Sequence, residues 1–160
     1  MHPYQKLLVW QRAHRLAVTV HGHSNGWTDS VLRTQVRRAA LSVPSNIVEG
    51  AASPSQAMFA RYLGTALASA AELEYQLLFA SEITLLTAGE HALLHAELLE
   101  LKRMLIALLK RTREHGRNER PGARAREEAR GTGAGSGPRR GVPSASTETS
   151  LPDPADEGKM

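Results

Sequence analysis

Residues 32–50 read LRTQVRRAALSVPSNIVEG. Leu32, Val36, Ala39, Val43 and Ile47 recur in steps of four and three, which is the pitch of one buried helix face and not the alternation of a strand. Arg33 and Arg37, four apart, flank that stripe on one side and Arg38 projects from the other. Pro44 cannot donate to the carbonyl of Ala40 and its ring crowds that carbonyl, so a bend at 40–44 is expected. Ser42, Ser45 and Asn46 are short polar side chains close enough to satisfy backbone groups released there.

Working outward, Val9, Ala13, Leu16 and Val20 give the same pattern over 7–23, and the breakers His21-Gly22-His23-Ser24-Asn25-Gly26 end it. Asp29 or Ser30 is placed to cap the helix that follows. Downstream, Ser53-Pro54-Ser55-Gln56 has the grammar of a helix start, with Ser53 as N-cap, Pro54 in the first turn and Gln56 reaching back. The helix it opens carries Phe59, Leu63, Ala66, Ala70, Leu73, Leu77 and Ala80, with Gly64, Ala68, Ser69 and Ala71 small enough for close approach of a neighbour. Thr87-Ala88-Gly89-Glu90 is a second capping box, and the short link before it predicts an antiparallel hairpin. Leu94, Leu98, Leu101, Leu105 and Leu108 form the core seam of a fourth helix. Its other apolar residues cover more of the circumference than one core needs, which assigns Leu93, Leu99, Ile106 and Leu109 to a contact between subunits.

The fold class is therefore all-α: an antiparallel up-down four-helix bundle over 1–115. Residues 116–160 are rich in Gly, Pro, Ser, Ala and mixed charge and nearly free of large apolar side chains, a composition that predicts a disordered C-terminal tail. With 160 residues and 41% hydrophobic composition the chain has enough for one core. It has no cysteine, which excludes disulfides, thiolate metal sites and a thiolate nucleophile. The N-terminal stretch does not read as a signal peptide and no apolar run reaches roughly 18 residues, so a cytoplasmic protein without a membrane span is expected.

Catalysis finds no convergent set of groups. His91 and His95 share a helix face like half of a metal-ligand set, but no HExxH pattern or third ligand accompanies them. Glu72 and Glu74 point to different faces, and Ser42 and Ser69 lack an identifiable base. No cofactor, metal or small-molecule substrate is expected. Basic residues outnumber acids before His115 and almost balance them after it, at a net charge of +4 for the chain. Arg33 with Arg37 and Arg103 with Lys110 make basic ridges off the core seams, and Arg111 and Arg113 extend the second. Helix-dipole stabilisation alone accounts for the cations from Lys110 to Arg113, but repeated around an oligomer axis such ridges can displace counterions from nucleic acid.

The combination Leu7-x-Val9-Trp10-Gln11-Arg12-Ala13, Gln35-Val36-Arg37-Arg38-Ala39-Ala40-x-Ser42-Val43-Pro44-Ser45-Asn46-Ile47-Val48-Glu49-Gly50, Phe59-x-Arg61-Tyr62-Leu63 and Glu72-Leu73-Glu74 resembles the four-helix bundle proteins encoded in 23S rRNA intervening sequences. Their superfamily includes the accessory variability determinant (Avd) proteins of diversity-generating retroelements. The resemblance implies a homopentamer with a basic surface that binds RNA or DNA, with a reverse transcriptase as a further partner in the retroelement members. Arg12, Arg37, Arg38 and Arg61 inherit the nucleic-acid role, and Ser42, Pro44, Asn46, Glu49 and Gly50 a structural signature. This chain departs from the family at Ser24-Asn25, Ser30-Val31 and Ala68. A scaffold for a protein partner is the competing reading.

Overall fold

A computed structural model describes residues 3–118 as four α-helices, α1 (Leu8–His23), α2 (Ser30–Ala51), α3 (Gln56–Glu82) and α4 (Ala88–Asn118), with 3-10 turns at Pro3–Lys6 and Ser24–Gly26. Each helix packs on its neighbour in the chain and α4 closes back on α1. Among the described residues α1 and α3 make no such contact, nor do α2 and α4, which is the square arrangement of an up-down bundle.

The predicted stripes meet in one core. Val9, Ala13, Leu16 and Val20 of α1, Val36, Ala39, Val43 and Ile47 of α2, Leu63, Ala66, Ala70, Leu73, Leu77 and Ala80 of α3 and Leu94, Leu98, Leu101 and Leu105 of α4 are buried, with Leu32 and Phe59 half-buried against them. Trp27, between α1 and α2, joins them at 4% exposure with its indole N–H unpartnered. One position of α4 differs: Leu109 is buried and Leu108 half-buried, the reverse of the sequence expectation. At roughly 100° per residue the two stand on either side of the buried row Leu98, Leu105 and Thr112 at similar angles, so both pack on the core and local packing decides which is covered more.

Local chemistry explains most boundaries. Asp29 caps α2 by accepting from the Leu32 N–H at 2.8 Å. Thr87 and Glu90 form the reciprocal capping box of α4, N–H of Thr87 to Glu90 Oε2 at 2.9 Å and N–H of Glu90 to Thr87 Oγ1 at 3.2 Å. Helix α2 runs through Pro44 without interruption. Ser45 Oγ and Asn46 Nδ2 donate to the carbonyls of Leu41 (2.9 Å) and Ser42 (2.8 Å), next to the Ala40 carbonyl that the proline cannot serve.

Two boundaries differ from expectation. Ser53 does not open α3; its hydroxyl donates to the Gly50 carbonyl at 2.6 Å and closes α2, leaving Ser55 as N-cap to the Met58 N–H at 3.2 Å. Helix α4 does not stop at His115 but continues to Asn118. Gly116 lies against the start of α3, where an added Cβ would be 3.4 Å from Gln56 Cβ, so packing holds a turn that glycine disfavours by about 1 kcal/mol. The remainder of the predicted tail, 119–160, lies outside the described residues.

Helix α3 ends in a Schellman turn: the Leu85 N–H reaches the Ala80 carbonyl (2.9 Å) and the Thr84 N–H the Ser81 carbonyl (3.1 Å), with Thr84 at φ 62°. A β-branched residue is strained there. Gly50 is the other demanding position, since a Cβ on it would stand 2.6 Å from Phe59 Cδ2 and 2.9 Å from Tyr62 Cβ.

These two sites predict opposite effects in thermal melts at fixed protein concentration. Gly50→Ala gains helix propensity but overpacks the α2–α3 contact, for a net loss of about 1–2 kcal/mol and a lower Tm. Thr84→Gly relieves about 1–2 kcal/mol of left-handed strain and gives back part of it as unfolded-state entropy, so Tm rises by a few degrees.

Candidate nucleic-acid interface

The nine cations marked out by the sequence fall into two groups. Arg12, Arg33 and Arg37 are engaged inside the fold. Arg12 Nε lies 3.0 Å from Glu97 Oε2 and ties α1 to α4. Arg33 donates to the Trp27 carbonyl at 2.9 Å. Arg37 makes the densest set, to Ser24 Oγ (2.8 Å), Asn25 Oδ1 (2.7 Å) and the His21 carbonyl (3.3 Å). Arg33 and Arg37 are thus not the free ridge the sequence suggested. The α1–α2 connection places oxygen acceptors within their reach, and the last turn of α1 offers carbonyls at the negative end of its dipole. The Ser24-Asn25 departure supplies two of these acceptors, and Ser24 is fully buried.

Arg38, Arg61, Lys110, Arg111 and Arg113 are exposed, and their side chains carry no hydrogen bond or ion pair among the described residues. Arg103 has only an exposed contact to Glu100 at 3.4 Å. Four of the five free cations share one end of the bundle. Because Gly116 packs on Gln56 in an antiparallel pair, Arg61 lies level with about Arg111, each five residues from that contact. Lys110, Arg111 and Arg113 fan around the outer side of α4, at roughly 100° per residue.

The proposed subunit-contact residues do not form one patch. Leu109 belongs to the core; Leu93 (72% exposed) and Ile106 (53%) project from opposite flanks of α4, and half-buried Leu99 shares the flank of Ile106. Where sequence reasoning placed the surplus apolar surface on α4, the structure exposes it more compactly on α3, at Tyr75, Leu78, Phe79 and Ile83. The signal was present in the sequence as apolar residues off the 63–80 seam.

The polar candidates serve the fold. Ser42 Oγ and Ser69 Oγ are 2.9 Å apart across α2 and α3, and Asn46 Nδ2 adds a bond to Ser42 Oγ at 3.1 Å. His91 and His95 stack with centroids 5.6 Å apart, and His95 Nε2 meets Glu74 Oε1 at 3.2 Å. The described residues contain no group of three His, Asp or Glu that could hold a metal ion. Lys102 donates to Glu74 Oε2, and that bond holds the Glu74 carboxyl below its ordinary value against partial desolvation, with His95 contributing less. No described helix is long and apolar enough to cross a membrane.

The model of the 23S rRNA-intervening sequence protein family matches residues 5–107. The chain belongs to this family. A crystal structure from Bacteroides thetaiotaomicron, of a protein of unknown function from the S23 ribosomal protein family, is similar at 25% identity and a TM-score of 0.61, covering 64% of this chain and 99% of that one. No curated protein matches the chain. The family match includes Gly50, whose missing side chain Phe59 and Tyr62 require, and the Ser42 and Asn46 contacts. It ends before Lys110, Arg111 and Arg113, so the free cations on α4 lie beyond the matched residues.

The Glu74 cluster gives a pH test. A carboxyl more acidic in the folded than in the unfolded chain contributes stability above its unfolded value, which is lost as pH falls through the folded one. Glu74→Gln should lower stability by about 0.5–1 kcal/mol at neutral pH, as for partly exposed ion pairs. The difference from wild type in urea midpoints should close as pH falls below about 4, the ordinary carboxylate range.

Proposed function

We propose that the protein is a non-catalytic, homo-oligomeric nucleic-acid-binding bundle of the cytoplasm, contacting phosphates through Arg61, Lys110, Arg111 and Arg113. The observation that carries this reading is the sorting of the charges: the side chains of Arg12, Arg33 and Arg37 are consumed by internal partners, while these four have none among the described residues and share one end of the bundle. Four cations on one copy bind weakly. In the homopentamer implied by the resemblance to the Avd proteins, the set recurs around one axis and the counterion release adds up. Arg38 stands apart from this cluster, on the α1–α2 face.

A scaffold for a protein such as a reverse transcriptase is the second reading, favoured by the exposed apolar side chains of α3. A pull-down in which the partner stays bound after nuclease treatment would support it.

A salt titration of binding to structured RNA and to duplex DNA tests the leading reading. Affinity should fall as salt rises, and Lys110→Ala/Arg111→Ala/Arg113→Ala should flatten the log–log slope by about 2–3 for each copy in contact, at roughly 0.7–0.9 per lost phosphate contact. Little dependence on base sequence is expected. Absence of binding at low salt, or affinity indifferent to salt, overturns the reading.

A further inference from the structure

The end of the bundle that carries Arg61, Lys110, Arg111 and Arg113 holds a positive charge that the described residues do not balance. The acids there are Glu49, in the last turn of α2, and Glu114 of α4; both are exposed and neither pairs with a cation among the described residues. Glu114 stands one turn after Lys110, the weaker orientation for an ion pair on a helix. Arg117, also exposed, extends the set into the last turn of α4. Because the backbones of α3 and α4 are already fixed, an anion arriving here has only side chains to order.

The chain that follows divides by charge. Residues 117–140 hold seven arginines and three glutamates, and residues 141–160 hold four acids and one lysine. The four acids, Glu148, Asp153, Asp156 and Glu157, fall within ten residues that include no cation. Arg124, Arg126 and Arg130 are interleaved with Glu127 and Glu128, so neighbours in sequence already offset part of their charge. The cluster on α3 and α4 is the less compensated target.

We infer that the stretch 148–157 seats on the Arg61, Lys110, Arg111 and Arg113 cluster of its own chain when nucleic acid is absent, and is displaced when phosphates arrive. The inference rests on the phosphate contact of the proposed function and supplies its regulation. Reach is ample: thirty residues separate Asn118 from Glu148, and a coil of that length averages about 30 Å, against about 12 Å from Asn118 back to Lys110. Fully extended, Asp153 to Glu157 covers up to about 14 Å, more than the roughly 8–10 Å between packed helix axes, so one stretch can meet α4 and Arg61 together. Four carboxylates face four cations, a match of charge that opposes the approach of a phosphate backbone. A tethered partner acts at an effective concentration of about a few millimolar. With a Kd of about 1 mM for the contact itself, about a quarter of the clusters stay open, and the apparent affinity for nucleic acid drops about fourfold per copy in contact.

Two measurements on the full chain test this. A zero-length carbodiimide cross-linker joins amines to carboxylates, and Lys110 is the one amine among the four cations. Without nucleic acid, peptide mapping of protein that keeps its one-chain mass should find Lys110 linked to Glu148, Asp153, Asp156 or Glu157. The link should fade when RNA is added or salt is raised. In the second measurement, Glu148→Gln/Asp153→Asn/Asp156→Asn/Glu157→Gln should bind structured RNA about fourfold tighter than wild type at low salt, with the gain gone near about 0.5 M. Removing four negative charges favours RNA anywhere on the protein, so the same substitutions are repeated with Arg111→Ala/Arg113→Ala, where the gain should fall below about twofold. No link from Lys110 to the stretch, or an equal gain in both backgrounds, overturns the inference alone. A link with no RNA bound by wild type or amide variant overturns the proposed function and the displacement step, and leaves the seating in place.

Discussion

The bundle depends on how closely α2 and α3 approach. At Gly50 there is no room for a β-carbon, because the Phe59 ring and the Tyr62 Cβ already occupy that space. Farther along the same interface the hydroxyls of Ser42 and Ser69 meet at 2.9 Å. Residues with two heavy side-chain atoms or none at such points let two backbones pack at a distance that leucines would forbid. The approach then fixes where α3 begins, and with it the level at which Gly116 of α4 rests on Gln56. The position of the cation cluster is a downstream consequence of a missing methyl group on α2.

Around that approach, each of the four seams between neighbouring helices carries a polar tie. Arg37 binds the end of α1 to α2, Ser42 and Ser69 join α2 to α3, Glu74 with Lys102 and His95 joins α3 to α4, and Arg12 with Glu97 closes α4 on α1. Partly exposed ties of this kind contribute little stability individually. Their geometric effect is larger, since a seam with one directional contact resists sliding by a turn, whereas leucines on leucines accept several registers. Two of these ties engage Arg12 and Arg37, and the Trp27 carbonyl engages Arg33, so free surface charge cannot be obtained by counting cations in the sequence.

The fold was largely legible in the sequence because a helix face repeats at a pitch that a reader can check. Val36, Ala39, Val43 and Ile47 are buried where the spacing puts them, and Asp29 and Thr87 cap where short oxygen-bearing side chains precede a periodic run. What could not be read depends on the choice among equivalent partners. Ser53 and Ser55 are both competent caps, and only the proximity of the Gly50 carbonyl decides that Ser53 terminates one helix while Ser55 starts the next. Arg33 and Arg37 look exposed on a helical wheel, which shows the angle of a side chain but not the acceptors in a neighbouring loop. Leu108 and Leu109 flank the buried row of Leu105 and Thr112 at similar angles, so periodicity alone does not rank them.

The excess apolar surface raises a question of the same kind. Helix α4 has too many leucines for one face, yet its surplus residues point in different directions, and scattered exposed leucines are ordinary on a protein surface. On α3 the surplus is contiguous, at Tyr75, Leu78, Phe79 and Ile83, a patch of the kind that marks an interaction surface. It lies at the end of α3, whereas Arg61 stands near the start of that helix and level with Arg111, so the apolar surface and the free cations occupy opposite ends of the bundle. A partner seated on the first leaves the second open to phosphates.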